Sequence, residues 1–191
     1  MRAQFPLFNT PIDLAHHFWE QLLKPFDAVI DATCGNGKDS LVLAKLLKPQ
    51  NGILFCIDIQ KQAIENSKAL LETDFPFVQF YKQSHEKLPS IPSSHSLKLI
   101  VFNLGYLPGG DKSLTTQVTS TLESISAALE VLSPGGVLSI TCYPGHLEGK
   151  KEQKALLERL STLDPFTWSF STFFWPNRHT SPSLFLIQKK K

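Results

Sequence analysis

Residues 99–112 read LIVFNLGYLPGGDK, an apolar run that breaks off at Asn103 into a Gly, a Tyr, a Pro, two more glycines and an Asp-Lys pair. A connection that only reverses the chain needs two or three turn-forming residues. Asn103 offers a side-chain carbonyl, and the backbone from 105 to 108 offers others, so acceptors without charge are concentrated here. Pro108 fixes the backbone, and Gly109 and Gly110 then free it.

A second group of unusual residues follows the apolar run around Ile30, in DATCGNGKD. Gly35 and Gly37 let the backbone approach a ligand closely, although a plain tight turn would use them too. A dinucleotide fingerprint would place a third Gly three residues after Gly37, where Ser40 stands. Asp58 closes another apolar run about 20 residues further on, the spacing at which a carboxylate takes both hydroxyls of a ribose. Read alone, Asp58 is a helix-capping residue; the two signals together predict an adenosine-containing cofactor. Asp31 repels a pyrophosphate and attracts a cation, and no GKS or GKT pattern is present. S-adenosylmethionine, with its ammonium and sulfonium, fits that charge pattern better than NAD.

These groups need elements to hold them. Thr10, Pro11 and Asp13 form a helix start, with Ala15, Phe18, Trp19 and Leu22 on one face. Strands are predicted at AVIDA, GILFCIDI, FVQFY, LKLIVFN and VLSITC, with helices over 38–47 and 61–72. Leu114, Val118, Leu122, Ile125, Leu129 and Leu132 recur at helical spacing and predict one long amphipathic helix. A helix carrying Leu156, Leu160 and Leu163 precedes two last strands, FTWSFSTFF and SLFLIQ. Strand–helix alternation with continuous apolar strands implies an α/β fold around a parallel sheet covered on both faces. The final strand pair, with no helix between, predicts an antiparallel hairpin at one edge. In such a sheet, ligands lie outside the carboxyl ends of the strands.

The composition, 42% hydrophobic and 19% charged over 191 residues, is that of one globular domain, without repeats or a membrane-spanning run. Cys34, Cys56 and Cys142 share no metal-type spacing and lie in or beside apolar stretches, so they are expected as core residues in a reducing, cytoplasmic compartment. A net charge of +2 permits an anionic partner without demanding one.

DATCGNG, LSPGGVL and the terminal strand pair resemble a class I S-adenosylmethionine-dependent methyltransferase over nearly the whole chain. Thr33 stands where the usual motif has its first Gly. More specific are DATCGNGKDS, DIQKQAI, SHEKL, FNLGYLPGGDK and YPGHLEGKKEQ, in that order. Together they resemble the bacterial methyltransferases, once labelled rRNA methylase-like, that complete the 5-methylaminomethyl-2-thiouridine of tRNA. The resemblance implies a single Rossmann-like domain over 1–191, with 1–26 as a helical segment packed on it. It also implies a mostly parallel sheet of seven strands with helices on both faces. S-adenosylmethionine would be the cofactor, and the acceptor would be the 5-aminomethyl group of 2-thiouridine at the tRNA wobble position. Another RNA, a protein or a small-molecule amine stays open as acceptor. A non-catalytic S-adenosylmethionine-binding module and an NAD oxidoreductase are the other classes.

By the same resemblance, Asp31, Thr33, Gly35, Asn36 and Gly37 would form the cofactor loop, with Asp39 just inside its helix. Asp58 would hold the ribose, Ile59 and Gln60 would pass the adenine, and Ser84 and His85 would meet its edge. His85 reads equally well as a capping or packing residue. NLGYLP resembles the Asn-Pro-Pro-Tyr motif of amine-directed nucleic-acid methyltransferases, without its first Pro. Asn103, also beside the cofactor, would then accept the hydrogens of an attacking amine and aim its lone pair. Tyr106 would stack on a base, and Gly109, Lys112, Tyr143 and Arg178 would meet the substrate. His146 or Asp111 would serve as a weak base, and Asp111 and Lys112 read otherwise as helix caps. No step needs a metal. The partner implied is the anticodon region of tRNA, gripped by the catalytic face through Lys112, Lys150, Lys151, Arg178 and the FFWPNRHT loop. No membrane is implied, and monomer and homodimer both stay open.

Overall fold

The computed structural model describes residues 7–110, 115–178 and 180–191. Helix α1 (Pro11–Leu22) begins with a capping box: Thr10 accepts the Asp13 N–H while the Asp13 carboxylate accepts the Thr10 N–H. Then follow β1 (Asp27–Asp31), α2 (Lys38–Leu47), a short 3-10 turn, β2 (Ile53–Asp58), α3 (Lys61–Leu71), β3 (Val78–Lys82) and β4 (Ser96–Asn103). After them come α4 (Val118–Val131), β5 (Val137–Cys142), α5 (Leu147–Leu160), β6 (Trp168–Phe173) and β7 (Ser183–Lys189).

The seven strands form one sheet in the order β3-β2-β1-β4-β5-β7-β6. Strands β3 to β5 pair in parallel, whereas β7 is antiparallel to both β5 and β6. The closing hairpin therefore lies at one edge, with β7 inserted beside β5. Alternate residues of β4 supply two separate cores, as the strand period of two requires. Ile100 and Phe102 pack with Ile125, Ala128, Leu156 and Leu160 from α4 and α5. Leu99 and Val101 pack with Trp19, Leu43, Leu47 and Leu71 from α1, α2 and α3.

The expected long helix is shorter at its start. Leu114 lies outside the described residues, and α4 begins only at Val118. Thr115 instead bridges to Tyr106, and the Thr116 N–H bonds the Gly105 carbonyl at 3.0 Å. The segment pairs with the loop after β4, which takes the backbone groups a further helical turn would need. Leu132 caps α4, and Leu163 lies beyond α5.

All three cysteines are buried and unpaired. Among the described residues no helix is long and apolar enough to cross a membrane, and no cluster of His, Cys, Asp and Glu could hold a metal ion. Ile100, fully buried in the central strand, tests the packing. Ile100→Ala is expected to cost about 2–5 kcal/mol, read as a lower urea midpoint at unchanged slope.

Candidate active site

Strands β1 and β4 are neighbours at the point where the strand order reverses, and a cavity of about 710 Å³ opens at their carboxyl ends. That volume suits a ligand of nucleoside size or more. The end of β1 contributes Thr33 and Gly35, that of β2 contributes Asp58, Ile59 and Gln60, and the turn after β3 contributes Ser84 and His85. The run from Asn103 to Pro108 forms one wall, and Tyr143 and His146 after β5 form another.

The glycine loop is built by its backbone. Gly37 caps α2 in the left-handed region at φ 77°, and a Cβ there would stand 3.0 Å from the Ser67 Cα on α3. Only glycine meets both conditions. The Asp58 carboxylate accepts the Gly35 N–H at 3.0 Å and the Gln60 N–H at 2.9 Å, one on each oxygen. Burial raises its pKa, against the lowering effect of those N–H groups. A carboxylate has about four acceptor positions, so Asp58 keeps acceptor capacity for a ligand.

Asn103 is held from two directions. Its backbone N–H donates to the Thr33 hydroxyl at 2.6 Å, and its side-chain Nδ2 donates to Asp39 at 2.8 Å. With the amide nitrogen committed to Asp39, the carbonyl Oδ1 is the end left for the cavity. Thr33, in the place of the usual motif's Gly, is therefore the group that ties the end of β1 to the end of β4.

His146 caps α5 by accepting the Gly149 N–H on Nδ1 at 3.1 Å. Only a glycine fits there, since a Cβ on residue 149 would collide with the Tyr143 carbonyl. Because Nδ1 uses its lone pair in that bond, the neutral ring carries its proton on Nε2. Nε2 is buried without a hydrogen-bond partner and lies 3.9 Å from where a Gly105 Cβ would be. In that tautomer His146, one of the two candidate bases, presents an N–H donor. Tyr106, 38% exposed, leans on this imidazole with ring centroids 5.7 Å apart. Behind the wall, buried Glu152 accepts the hydroxyls of Thr116 and Thr121, and Thr116 in turn accepts the Gly105 N–H. Burial raises the Glu152 pKa and the two hydroxyls lower it.

Several predicted residues stand behind the wall rather than in it. Asp31 is fully buried; it accepts the Ser40 hydroxyl at 2.6 Å and the Thr33 N–H at 3.3 Å. It offers no surface to a cation, and Ser40 replaces the third glycine because Asp31 needs its hydroxyl. Gly37 and Asp39 also lie outside the lining, as does Asn36, whose amide bonds the Pro108 carbonyl and accepts from Asn66. Gly109 is exposed beyond the rim. The Arg178 guanidinium reaches the Asn9 carbonyl at 2.9 Å and does not line the cavity, although Thr180 and Pro182 do. Lys151 pairs with Glu148, Lys150 is exposed on α5, and Asp111 and Lys112 lie outside the described residues. His85 lines the cavity and meets the edge of Phe102; burial lowers its pKa, so it is a neutral ring near neutrality. Burial, with the Asp39 charge, raises the Tyr143 phenol, which stays a donor. Sequence reasoning missed Thr115, Thr116, Glu152 and His16. Each acts through a partner distant in sequence, and no local pattern announces it.

Asp31 has a measurable signature. Burial pushes its pKa to about 7; the Ser40 bond opposes this, and the charges of Asp39 and Asp58 add to it. The native carboxyl holds its proton more tightly than the unfolded one, so its contribution to stability falls as pH rises from about 4 to about 7. Above that range the cost is complete and stays constant with pH. Asp31→Asn is therefore expected to gain stability over the wild type as pH rises from about 4 to about 7, by at most about 1.4 kcal/mol for each step of one in pH, with no further gain above. Denaturant melts of both proteins at each pH read that widening gap.

Residues 54–189 match a family model described as "Putative rRNA methylase". The sequence is 36% identical, over 94% of this chain and 69% of the relative, to a protein of Arabidopsis thaliana named "tRNA (mnm(5)s(2)U34)-methyltransferase, chloroplastic". A solved structure from Clostridium thermocellum, titled "putative rRNA-methylase", superposes with a TM-score of 0.87 at 32% identity, covering 95% of this chain and 98% of that one. Another, "a putative methyltransferase from streptococcus mutans in complex with SAH", gives 0.82 at 32% identity and covers 95% and 99%. With a family model matched over residues 54–189 and a relative 36% identical over 94% of this chain, this chain belongs to the rRNA methylase family and has the class I methyltransferase fold.

Proposed function

We propose that the chain is a single methyltransferase domain that uses S-adenosylmethionine to methylate the 5-aminomethyl nitrogen of 2-thiouridine at the wobble position of tRNA. The observation that carries this reading is the 36% identity to the Arabidopsis tRNA methyltransferase over 94% of this chain and 69% of that protein. The chemistry of the cavity supports it.

The residues present fit the cofactor. Asp58 keeps acceptor capacity for the ribose hydroxyls, and Ile59 is held 67% exposed beside it as an apolar surface for a purine. Gln60, Ser84 and His85 would meet the adenine, and the backbone of Gly35 admits the ligand closely. When bound, S-adenosylmethionine supplies an electrophilic methyl group on a sulfonium. Thr33 and Asn103 stand where the methionyl end would reach the acceptor wall.

An aliphatic amine has a pKa near 10, so most of it is an ammonium at neutral pH. Desolvation in the cavity lowers that value, so the ammonium gives its proton to water and the lone pair is free to attack. Asn103 Oδ1 then accepts an amine N–H and fixes the direction of attack, which is the largest contribution asked of the protein. His146, a donor at Nε2 in the tautomer its helix cap selects, would offer its N–H to a carbonyl of the base. Tyr106 offers a face for stacking. The aromatic loop after β6 and the lysines at the start of α5 would grip the anticodon loop, with a shallow salt dependence because they are few.

Asn103→Ala is expected to leave S-adenosylmethionine affinity nearly unchanged and to slow single-turnover methyl transfer by about 100-fold. Asp58→Ala is expected to do the reverse, weakening cofactor binding in calorimetry by about 1.5–3 kcal/mol. Substrate identity is tested with labelled S-adenosylmethionine and three RNAs: tRNA carrying the aminomethyl group, tRNA lacking it, and ribosomal RNA. Label on the first alone is the expected result, with a rate that rises with pH. Equal label on both tRNAs, or label on ribosomal RNA only, overturns the reading.

A further inference from the structure

No residue of α1 lines the cavity, yet α1 reaches the acceptor wall through two hydrogen bonds. His16 Nε2 lies 2.7 Å from Asp39 Oδ1, and Asn103 Nδ2 lies 2.8 Å from Asp39 Oδ2. We infer that His16 is a positioning residue that, through Asp39, fixes which end of the Asn103 amide faces the substrate. The inference rests on the proposed reaction only for the role of Asn103 as acceptor.

An amide turned by half a rotation is nearly the same shape, so its orientation is set by its partners alone. Flipped, Asn103 would present an NH2 that donates to the amine nitrogen and occupies the lone pair that must attack. Asp39 as a carboxylate only accepts, and so it selects the Asn103 nitrogen. A lone carboxylate in the first turn of a helix, however, has competing donors in the open N–H groups of that turn, and its terminal torsion is soft. Holding the second oxygen removes that freedom. His16 can do so because its own ring is held: it sits 4.9 Å from the ring of Trp19, which is 2% exposed, on a helix anchored by its capping box. The His16 and Asp39 side chains are 27% and 14% exposed, so water competes weakly for either bond.

The test compares His16→Ala, His16→Gln and Asn103→Ala, alone and combined, in the full chain. His16→Ala is expected to slow single-turnover transfer on the order of 10–100-fold, as loss of a supporting partner does, with KM and cofactor affinity unchanged. His16→Gln, which keeps a donor near the place of Nε2, restores most of the rate. In the Asn103→Ala background, His16→Ala costs nothing further, because the two act as one unit. Equal losses in both backgrounds, or an unaffected single variant, overturn the inference. A second measurement needs no activity: the side-chain amide NMR signals of Asn103, identified by their loss in Asn103→Ala, shift in His16→Ala and return in His16→Gln. Unmoved signals overturn it even where the proposed substrate fails, and should His16→Ala not fold, His16→Leu against His16→Gln makes the same comparison.

Discussion

The parallel pairing of β1 with β4 is the constraint on which the site depends. It places Asp31 beside Val101, and the Ala32 N–H continues the ladder onto the Val101 carbonyl at 2.9 Å. From this seam the chain builds outward in opposite directions, to β2 and β3 on one side and to β5 on the other. The loops leaving the two central strands therefore diverge and open a crevice. They are kept from diverging too far by the bond between the Asn103 N–H and the Thr33 hydroxyl. The cofactor half and the acceptor half of the cavity meet at that bond.

The same edge gathers three aspartates, whose repulsion would open the loops if nothing answered it. Each is answered differently. Asp31 is buried against Ser40, and its pKa is raised far enough for the proton to stay during part of the neutral range. Asp58 stands before α3 and takes backbone N–H groups from two loops. Asp39 sits between the side chains of His16 and Asn103. One residue type thus supplies a structural acid, a ligand acceptor and an orienting group, and surroundings alone separate the roles.

The alternation of strands and helices is legible in the sequence because the inner strands are continuous apolar runs and α1 carries its own cap. Asn103 is legible for the opposite reason: a polar residue ending an apolar strand at the carboxyl edge has few packing roles. What escapes such a reading depends on pairs remote in sequence. His16 looks like a surface position of an amphipathic helix, and Glu152 looks like one more charge in KKEQK. The tautomer of His146 follows from a backbone bond that its residue type does not encode. The expected long helix extends too far because Leu114 continues the period of α4, whereas Thr115 and Thr116 pair with the loop after β4.

The departures from the usual glycine pattern follow a single rule. Glycine is kept where a side chain cannot be placed: Gly35 and Gly37 have φ of 51° and 77°, and Gly37 also abuts α3. Where the backbone permits a side chain, a small hydroxyl stands instead and joins two elements. Thr33 joins β1 to β4, and Ser40 joins α2 to β1. Ser40 is buried and Thr33 half-buried, and each hydroxyl has a partner of its own, so neither carries an uncompensated desolvation cost. The bonds they make order the loop before any ligand arrives, which removes part of the entropy that binding would otherwise have to offset. A loop richer in glycine would approach a ligand as closely, but would lack the atoms that hold Asn103 in place.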